Sequence, residues 1–382
     1  MCSDFTDYRQ GIIMTDMLKD KVRGSLMAGA AGDALGYRVE FWSRKAILKQ
    51  YGERGIVKFE LDKGCYLEEG TGKALISDDT QMTLFTANGL LNAVTSRETP
   101  KYAIAKAYIE WLLTQDYTRK KMVKSCWISG DERLYDRRAP GNTCLSALDS
   151  IIRGRDASNS SKGCGGIMRV APVGLYGAVG NRMTALEVAQ LAGDAAEITH
   201  QHPLGFLPAS LLAALVYKVV PQTPQYVQEN MDTIVEEVLA LLDEVYKGEY
   251  EASKNDLRQM SLKAIALAHS NTPDEEAILQ LGEGWTAEEA WTISLFCAIR
   301  HITSVEDAVA AAVNHDGDSD STGSITGNIM GAIYGYEHLK ECNLFTPDGH
   351  LFEETLELSD LILAIADDLS TVGALDKKRY KF

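Results

Sequence analysis

Asn314-His-Asp-Gly-Asp-Ser-Asp-Ser-Thr-Gly-Ser-Ile-Thr-Gly-Asn-Ile-Met-Gly-Ala-Ile-Tyr-Gly335 is the stretch on which the reading of this chain turns. It opens with carboxylates at alternate positions, Asp316, Asp318 and Asp320, followed by the hydroxyls of Ser321 and Thr322. The remainder reads as a helix whose glycines recur every fourth residue, at Gly323, Gly327, Gly331 and Gly335. Each glycine inside a helix costs about 1 kcal/mol relative to alanine, so the four together cost about 3–4 kcal/mol. A period of four puts them on one helix face, where they let another backbone come close. A second helical stretch, Met17 to Leu35, runs into the same pattern with Gly24, Ala28, Gly32 and Gly36. Two small-residue stripes in one chain predict close helix packing near a central site.

Aspartates at a helix start are ordinary caps that suit the macrodipole. Three within five residues repel one another unless a cation lies between them. Hard oxygen donors with no nearby His or Cys pair suit Mg²⁺ or Mn²⁺ better than zinc. The same residues also make a solvated acidic turn, and this stretch alone leaves both readings open.

Working outward, helices read at 77–91, 100–113, 143–152, 184–196, 205–219, 224–247, 257–269, 286–300, 304–314 and 354–370. Residues 52–75, 116–140 and 153–176 read as irregular or glycine-rich. Strand patterns are scarce, so the chain is expected to be all-α. Residues 1–15 read as a loose leader and 16–382 as a single domain, since Pro221–Pro224 and Asn271–Pro273 look like turns between helices. At 382 residues, 45% hydrophobic and 24% charged, the chain can bury a large core. A net charge of −16 argues against nucleic acid or an anionic membrane as partner. There is no apolar run of membrane-spanning length and no signal peptide. The seven scattered cysteines lack a CxxC pair. They suit a reducing compartment, with the cytoplasm as default.

A second acidic cluster, Ser77-Asp78-Asp79-Thr80, also stands at a helix start. Alone it is a capping segment. Together with Asp318, Asp320 and Ser321 it supplies the carboxylate-and-hydroxyl mix that a two-cation site requires.

Four segments in order resemble the ADP-ribosylglycohydrolase family: Gly32-Asp-Ala-Leu-Gly-Tyr-Arg-Val-Glu-Phe41, Ile76-Ser-Asp-Asp-Thr-Gln81, Ser161-Lys-Gly-Cys-Gly-Gly-Ile-Met-Arg-Val-Ala-Pro-Val-Gly174 and Gly317-Asp-Ser-Asp-Ser-Thr-Gly323. Thr199-His-Gln-His-Pro203 and Leu281-Gly-Glu-Gly-Trp285 add to them. The resemblance implies a compact multi-helix bundle with a binuclear Mg²⁺ or Mn²⁺ cleft. By position it makes Ser77, Asp78, Asp79, Asp318, Asp320 and Ser321 metal ligands, with Asp320 bridging. It makes Glu40 the loop glutamate beside the metals and leaves Glu40 and Asp79 as rival catalytic carboxylates. Ser161, Gly163, Cys164, Gly165 and His200 would touch the ADP-ribose. A glycine-rich loop of this kind offers backbone N–H groups to a diphosphate, though it is equally a structural turn. Cys164 stands where several members have asparagine, and Asp316 where many have glycine.

Arg169 reads either as a phosphate clamp or as a buried ion-pair partner. His202 reads as a helix cap, and Trp285, Met17 and Met27 as core. Glu283 has no assignment. The implied activity is hydrolysis of the glycosidic bond of mono-ADP-ribose on protein side chains, arginine first, because the Gly-Asp-Ser-Asp-Ser form resembles the arginine-directed members. Serine-linked or small-molecule adducts, a two-metal nucleotide phosphoesterase, and a non-catalytic binding relative are the alternatives.

Overall fold

The structure is a computed structural model that describes residues 2–65, 68–96, 98–116, 125–341, 344–371, 375 and 379–380, with side chains from residue 15 onward and not at 65 or 68. Within them run helices α1 (Cys2–Tyr37), α2 (Arg44–Tyr51), α3 (Asp78–Thr95), α4 (Pro100–Thr114), α5 (Asn142–Ile152), α6 (Ala171–Ala178), α7 (Ala185–Glu197), α8 (Pro203–Val219) and α9 (Pro224–Val245). The chain continues through α10 (Glu251–Ala268), α11 (Asp274–Leu281), α12 (Ala287–Arg300), α13 (Val305–Val313), α14 (Ser319–Tyr334), α15 (Tyr336–Glu341), α16 (Phe352–Thr355) and α17 (Ser359–Ser370). Strand among the described residues is one two-residue antiparallel pair, β1 (Gly64–Cys65) with β2 (Glu68–Glu69), so the all-helical expectation holds. The match to the helices read from periodicity is close at α4, α5, α7, α8, α12 and α13. Short helices α2, α11 and α15 carry too few buried apolar residues for a periodic signal; α2 buries only Ile47. Helix α1 begins well before Met17, and the leader expected over 1–15 falls on its first turns.

The two small-residue stripes meet. Helices α1 and α14 run antiparallel, and a Cβ added to Gly24 would lie 2.5 Å from the Gly331 carbonyl oxygen, while one on Gly323 would lie 2.5 Å from that of Gly32. Ser25 Oγ donates across the seam to the Asn328 carbonyl at 2.8 Å. The helix cost of the glycines is offset by this backbone-to-backbone packing. Helix α14 is buried from Ser319 to Ile333, enclosed by α1, α8, α12 and α13. Helix α3 is likewise buried from Asp78 to Asn92. A helix buried all round belongs at the centre of a core, and the two acidic helix starts are therefore held deep in the molecule. Cys126, Cys144, Cys164 and Cys297 are free thiols; the side chains of Cys2, Cys65 and Cys342 lie outside the described residues.

Candidate active site

Ser77 caps α3, its Oγ accepting from the Asp79 N–H at 3.1 Å, and Asp78 and Asp79 occupy the first turn. Asp318 caps α14 by accepting from the Ser321 N–H at 3.3 Å, with Asp320 in that first turn. Both helix N-termini therefore point partial positive charge at carboxylates. Asp33 of α1 is tied to the first of them, the start of α3. Its carboxylate accepts from the N–H groups of Ser77 at 2.9 Å and Thr80 at 3.0 Å and from the Thr80 hydroxyl at 2.5 Å. Asp33 was quoted within the Gly32–Phe41 segment yet given no role. Its signal is a lone acid in the small and apolar stretch 24–36 of α1, between Gly32 and Gly36.

Asp33, Asp78, Asp79, Asp318 and Asp320 are all buried. Burial, then the charge of Asp320, pushes Asp33 up to about 7 and raises Asp78, Asp79 and Asp318 well above the usual carboxylate range. The same two causes push Glu40 up to about 9. The acids crowd one another enough to resist ionising together.

Among the described residues, no group of three or more His, Cys, Asp or Glu side chains stands ready to hold a metal ion. The chemistry of the donors nonetheless fits a hard divalent cation. The buried Asp79 Oδ2 has no hydrogen-bond partner, and an unpaired buried charge of this kind is costly. A cation among these oxygens supplies the missing counter-charge. Asp316 is excluded from this group: it is exposed, and its Oδ1 accepts from the Arg44 N–H at 2.9 Å at the start of α2.

Glu40 follows α1 in a turn. The next residue, Phe41, is 72% exposed at φ +66° and stacks on Trp285 with ring centroids 5.2 Å apart. Trp285, read from sequence as core, instead sits at this rim and donates its indole N–H to Glu283 at 3.1 Å. Glu40 and Phe41 line a cavity of about 480 Å³, with Tyr37, Arg38 and Lys63 on its other walls.

The loop carrying Ser161, Gly163, Cys164 and Gly165 also borders the acidic group. Cys164 Sγ stands 2.8 Å from Asp318 Oδ2, so this thiol reaches the acidic group directly. Two of the loop's N–H groups are already engaged: Gly163 donates to Ser161 Oγ at 3.2 Å and Cys164 to the Trp285 carbonyl at 3.2 Å. His200 packs on this loop, buried, and burial followed by the Arg169 charge pushes it down to about 3. It is neutral at physiological pH. Arg169 is fully buried and stacks over Tyr108 at 4.1 Å, donating to Thr199 Oγ1 at 2.6 Å. That burial rules out the phosphate clamp. His202 Nδ1 accepts from the Leu204 N–H at 3.0 Å, the cap expected for α8.

Comparison with known proteins identifies the family and the fold. The ADP-ribosylglycohydrolase family model matches residues 14–378. The chain is 23% identical to ADP-ribosylhydrolase ARH1 of Dictyostelium discoideum, over 94% of this chain and 95% of that protein. It is 24% identical to ADP-ribosyl-[dinitrogen reductase] glycohydrolase of Rhodospirillum rubrum, over 91% and 97%. A solved ADP-ribosylglycohydrolase-related protein complex shares the fold at a TM-score of 0.58, with 22% identity over 93% of this chain and 98% of that one. None of the described helices is long and apolar enough to cross a membrane.

Proposed function

Because the chain belongs to the ADP-ribosylglycohydrolase family, an enzyme family of glycosidic-bond hydrolysis, we propose that it removes mono-ADP-ribose from modified protein side chains, with arginine the first linkage to test. The observation that carries this reading is the convergence of two buried helix starts, α3 and α14, on one group of carboxylates with an unpartnered oxygen at Asp79. Ser77, Asp78, Asp79, Asp318, Asp320 and Ser321 would hold two Mg²⁺ or Mn²⁺ ions. When bound, such ions supply Lewis-acid charge and lower the pKa of water.

The chain's own residues do the rest. Cleavage at the anomeric carbon develops positive charge on the ribose. Buried carboxylates fixed by helix caps are preorganised to stabilise that charge. Glu40, beside the cavity, holds a proton at neutral pH in the cation-free protein. It is placed to exchange that proton with the leaving side chain, whereas Asp79 is committed to the interior. The 480 Å³ cavity next to Glu40 gives the modified side chain a way in.

The test is release of free ADP-ribose from arginine-linked and serine-linked mono-ADP-ribosylated proteins, with and without Mg²⁺ or Mn²⁺, for wild type and Asp320→Ala. Cation-dependent release lost in the variant supports the reading. Release of AMP instead would identify a phosphoesterase, and release from serine alone would move the linkage.

A further inference from the structure

Arg169, Thr199 and His200 form a chain of contacts that the proposed chemistry does not use, and counting its protons fixes the state of the histidine. A guanidinium only donates. Arg169 Nη2 stands 2.6 Å from Thr199 Oγ1, so that hydroxyl oxygen accepts and has one proton of its own left to place. Three acceptors surround it. The Ala196 carbonyl is 3.5 Å away and already takes the backbone N–H groups of Thr199 at 3.1 Å and His200 at 3.0 Å. Cys144 Sγ also shares a hydrogen bond with the Thr199 side chain, but sulfur is a weak acceptor and this one already takes Arg169 Nη1 at 3.4 Å. His200 Nδ1, 2.9 Å away, is the best-placed acceptor of the three. The hydroxyl therefore donates to Nδ1, and a neutral imidazole that accepts at Nδ1 carries its proton on Nε2.

The other end of the ring is just as constrained. Among the described residues no protein acceptor stands at Nε2. The nearest chain there is glycine, and a Cβ on Gly163 would come within 3.2 Å of Nε2, and one on Gly165 within 3.3 Å. Two glycines keep side chains off this edge of the buried ring, and the loop's Gly163 and Cys164 N–H groups are already engaged with Ser161 Oγ and the Trp285 carbonyl.

We propose that Arg169 and Thr199 are positioning residues that lock His200 as an Nε2–H donor, aimed past Gly163 and Gly165 at an oxyanion of a bound nucleotide diphosphate. The acceptor rests on the ADP-ribose reading above; the proton relay does not. The guanidinium next door serves the site at one remove, by turning the threonine hydroxyl toward the ring.

The test is imidazole ¹⁵N NMR on the full chain labelled at histidine, with His200 identified by the signal lost in His200→Gln. Wild type is expected to show the proton on Nε2, and Thr199→Ser to keep it there. Thr199→Val is expected to lose that preference and to bind ADP-ribose about tenfold more weakly by calorimetry, the loss of one oriented donor. A wild-type proton on Nδ1 overturns the relay, as does a Thr199→Val protein with unchanged tautomer and affinity. If Thr199→Val fails to fold, the wild-type and Thr199→Ser spectra still decide. The expected tautomer in a protein that does not bind ADP-ribose would overturn the assigned acceptor and the proposed function, and support the relay alone.

Discussion

Gly323 of α14 presses on Gly32 of α1 so closely that a Cβ on Gly323 would lie 2.5 Å from the Gly32 carbonyl oxygen. Neither backbone has room to retreat, because α14 is buried on every side. Gly323→Ala gains helix propensity and loses far more through overlap with main chain. The expected result is a destabilisation of about 3 kcal/mol, read as a lower denaturation midpoint. Ala28→Gly at the same seam removes a methyl group without overlap and is expected to cost about 1 kcal/mol. Equal midpoints for the two variants would contradict the seam as described.

Asp33→Asn is predicted to separate stability from chemistry. The carboxylate accepts from two N–H groups and one hydroxyl at the start of α3. An amide keeps one acceptor and turns an NH₂ toward donors. A buried, charge-assisted set of this kind is worth about 1.5–3 kcal/mol per bond lost. Thermal denaturation should show a loss of at least that size, with activity falling further because Ser77 and Thr80 shift with it. Asp33→Asn with wild-type stability would mean the α1–α3 junction is held by other contacts.

The seam and the two acidic helix starts were legible in the sequence because each repeats at a fixed period or sits at a cap position. Asp33 and Arg169 were not. A single acid in the apolar stretch 24–36 of α1 has no periodic pattern, and only tertiary packing brings Asp33 over the N–H groups of α3. Arg169 was legible as a phosphate clamp or a buried ion-pair partner; its actual neighbours, Tyr108 of α4 and the Ala195 carbonyl and Thr199 hydroxyl at the end of α7, include no carboxylate. Trp285 was misread because a tryptophan is more often core than rim, whereas its flanks are Glu283-Gly284 and Thr286 and the ring lies at the rim against Phe41.

Asp320→Asn is expected to stabilise the cation-free protein while weakening its response to cations. The charge of Asp320 raises Asp33, Asp78, Asp79, Asp318 and Glu40 together. Removing it relieves repulsion across the whole group, a gain of about 1 kcal/mol. In chelator, the variant should therefore unfold at a higher temperature than wild type. On adding Mn²⁺ or Mg²⁺ the order should reverse, since a ligand that binds only the folded state raises stability by mass action. Scanning calorimetry with and without the cation checks both signs, and a variant less stable than wild type in chelator would count against the crowding.

Trp285→Ala tests whether the aromatic pair holds Glu40 in place. Phe41 sits at φ +66°, a conformation that costs a bulky side chain about 1–3 kcal/mol. Its ring gains back about 0.5–1.5 kcal/mol by stacking on Trp285. The pair lies at the surface, so the fold should lose little when the indole goes. The turn carrying Glu40, however, loses the partner that offsets its strain. The expectation is a melting temperature within a few degrees of wild type and a fall of about tenfold in kcat, with ADP-ribose affinity nearly unchanged. Trp285→Phe, which restores a stacking surface without the indole N–H to Glu283, should recover most of the rate. A rate insensitive to both substitutions would show that the turn is set by its own backbone and not by the stack.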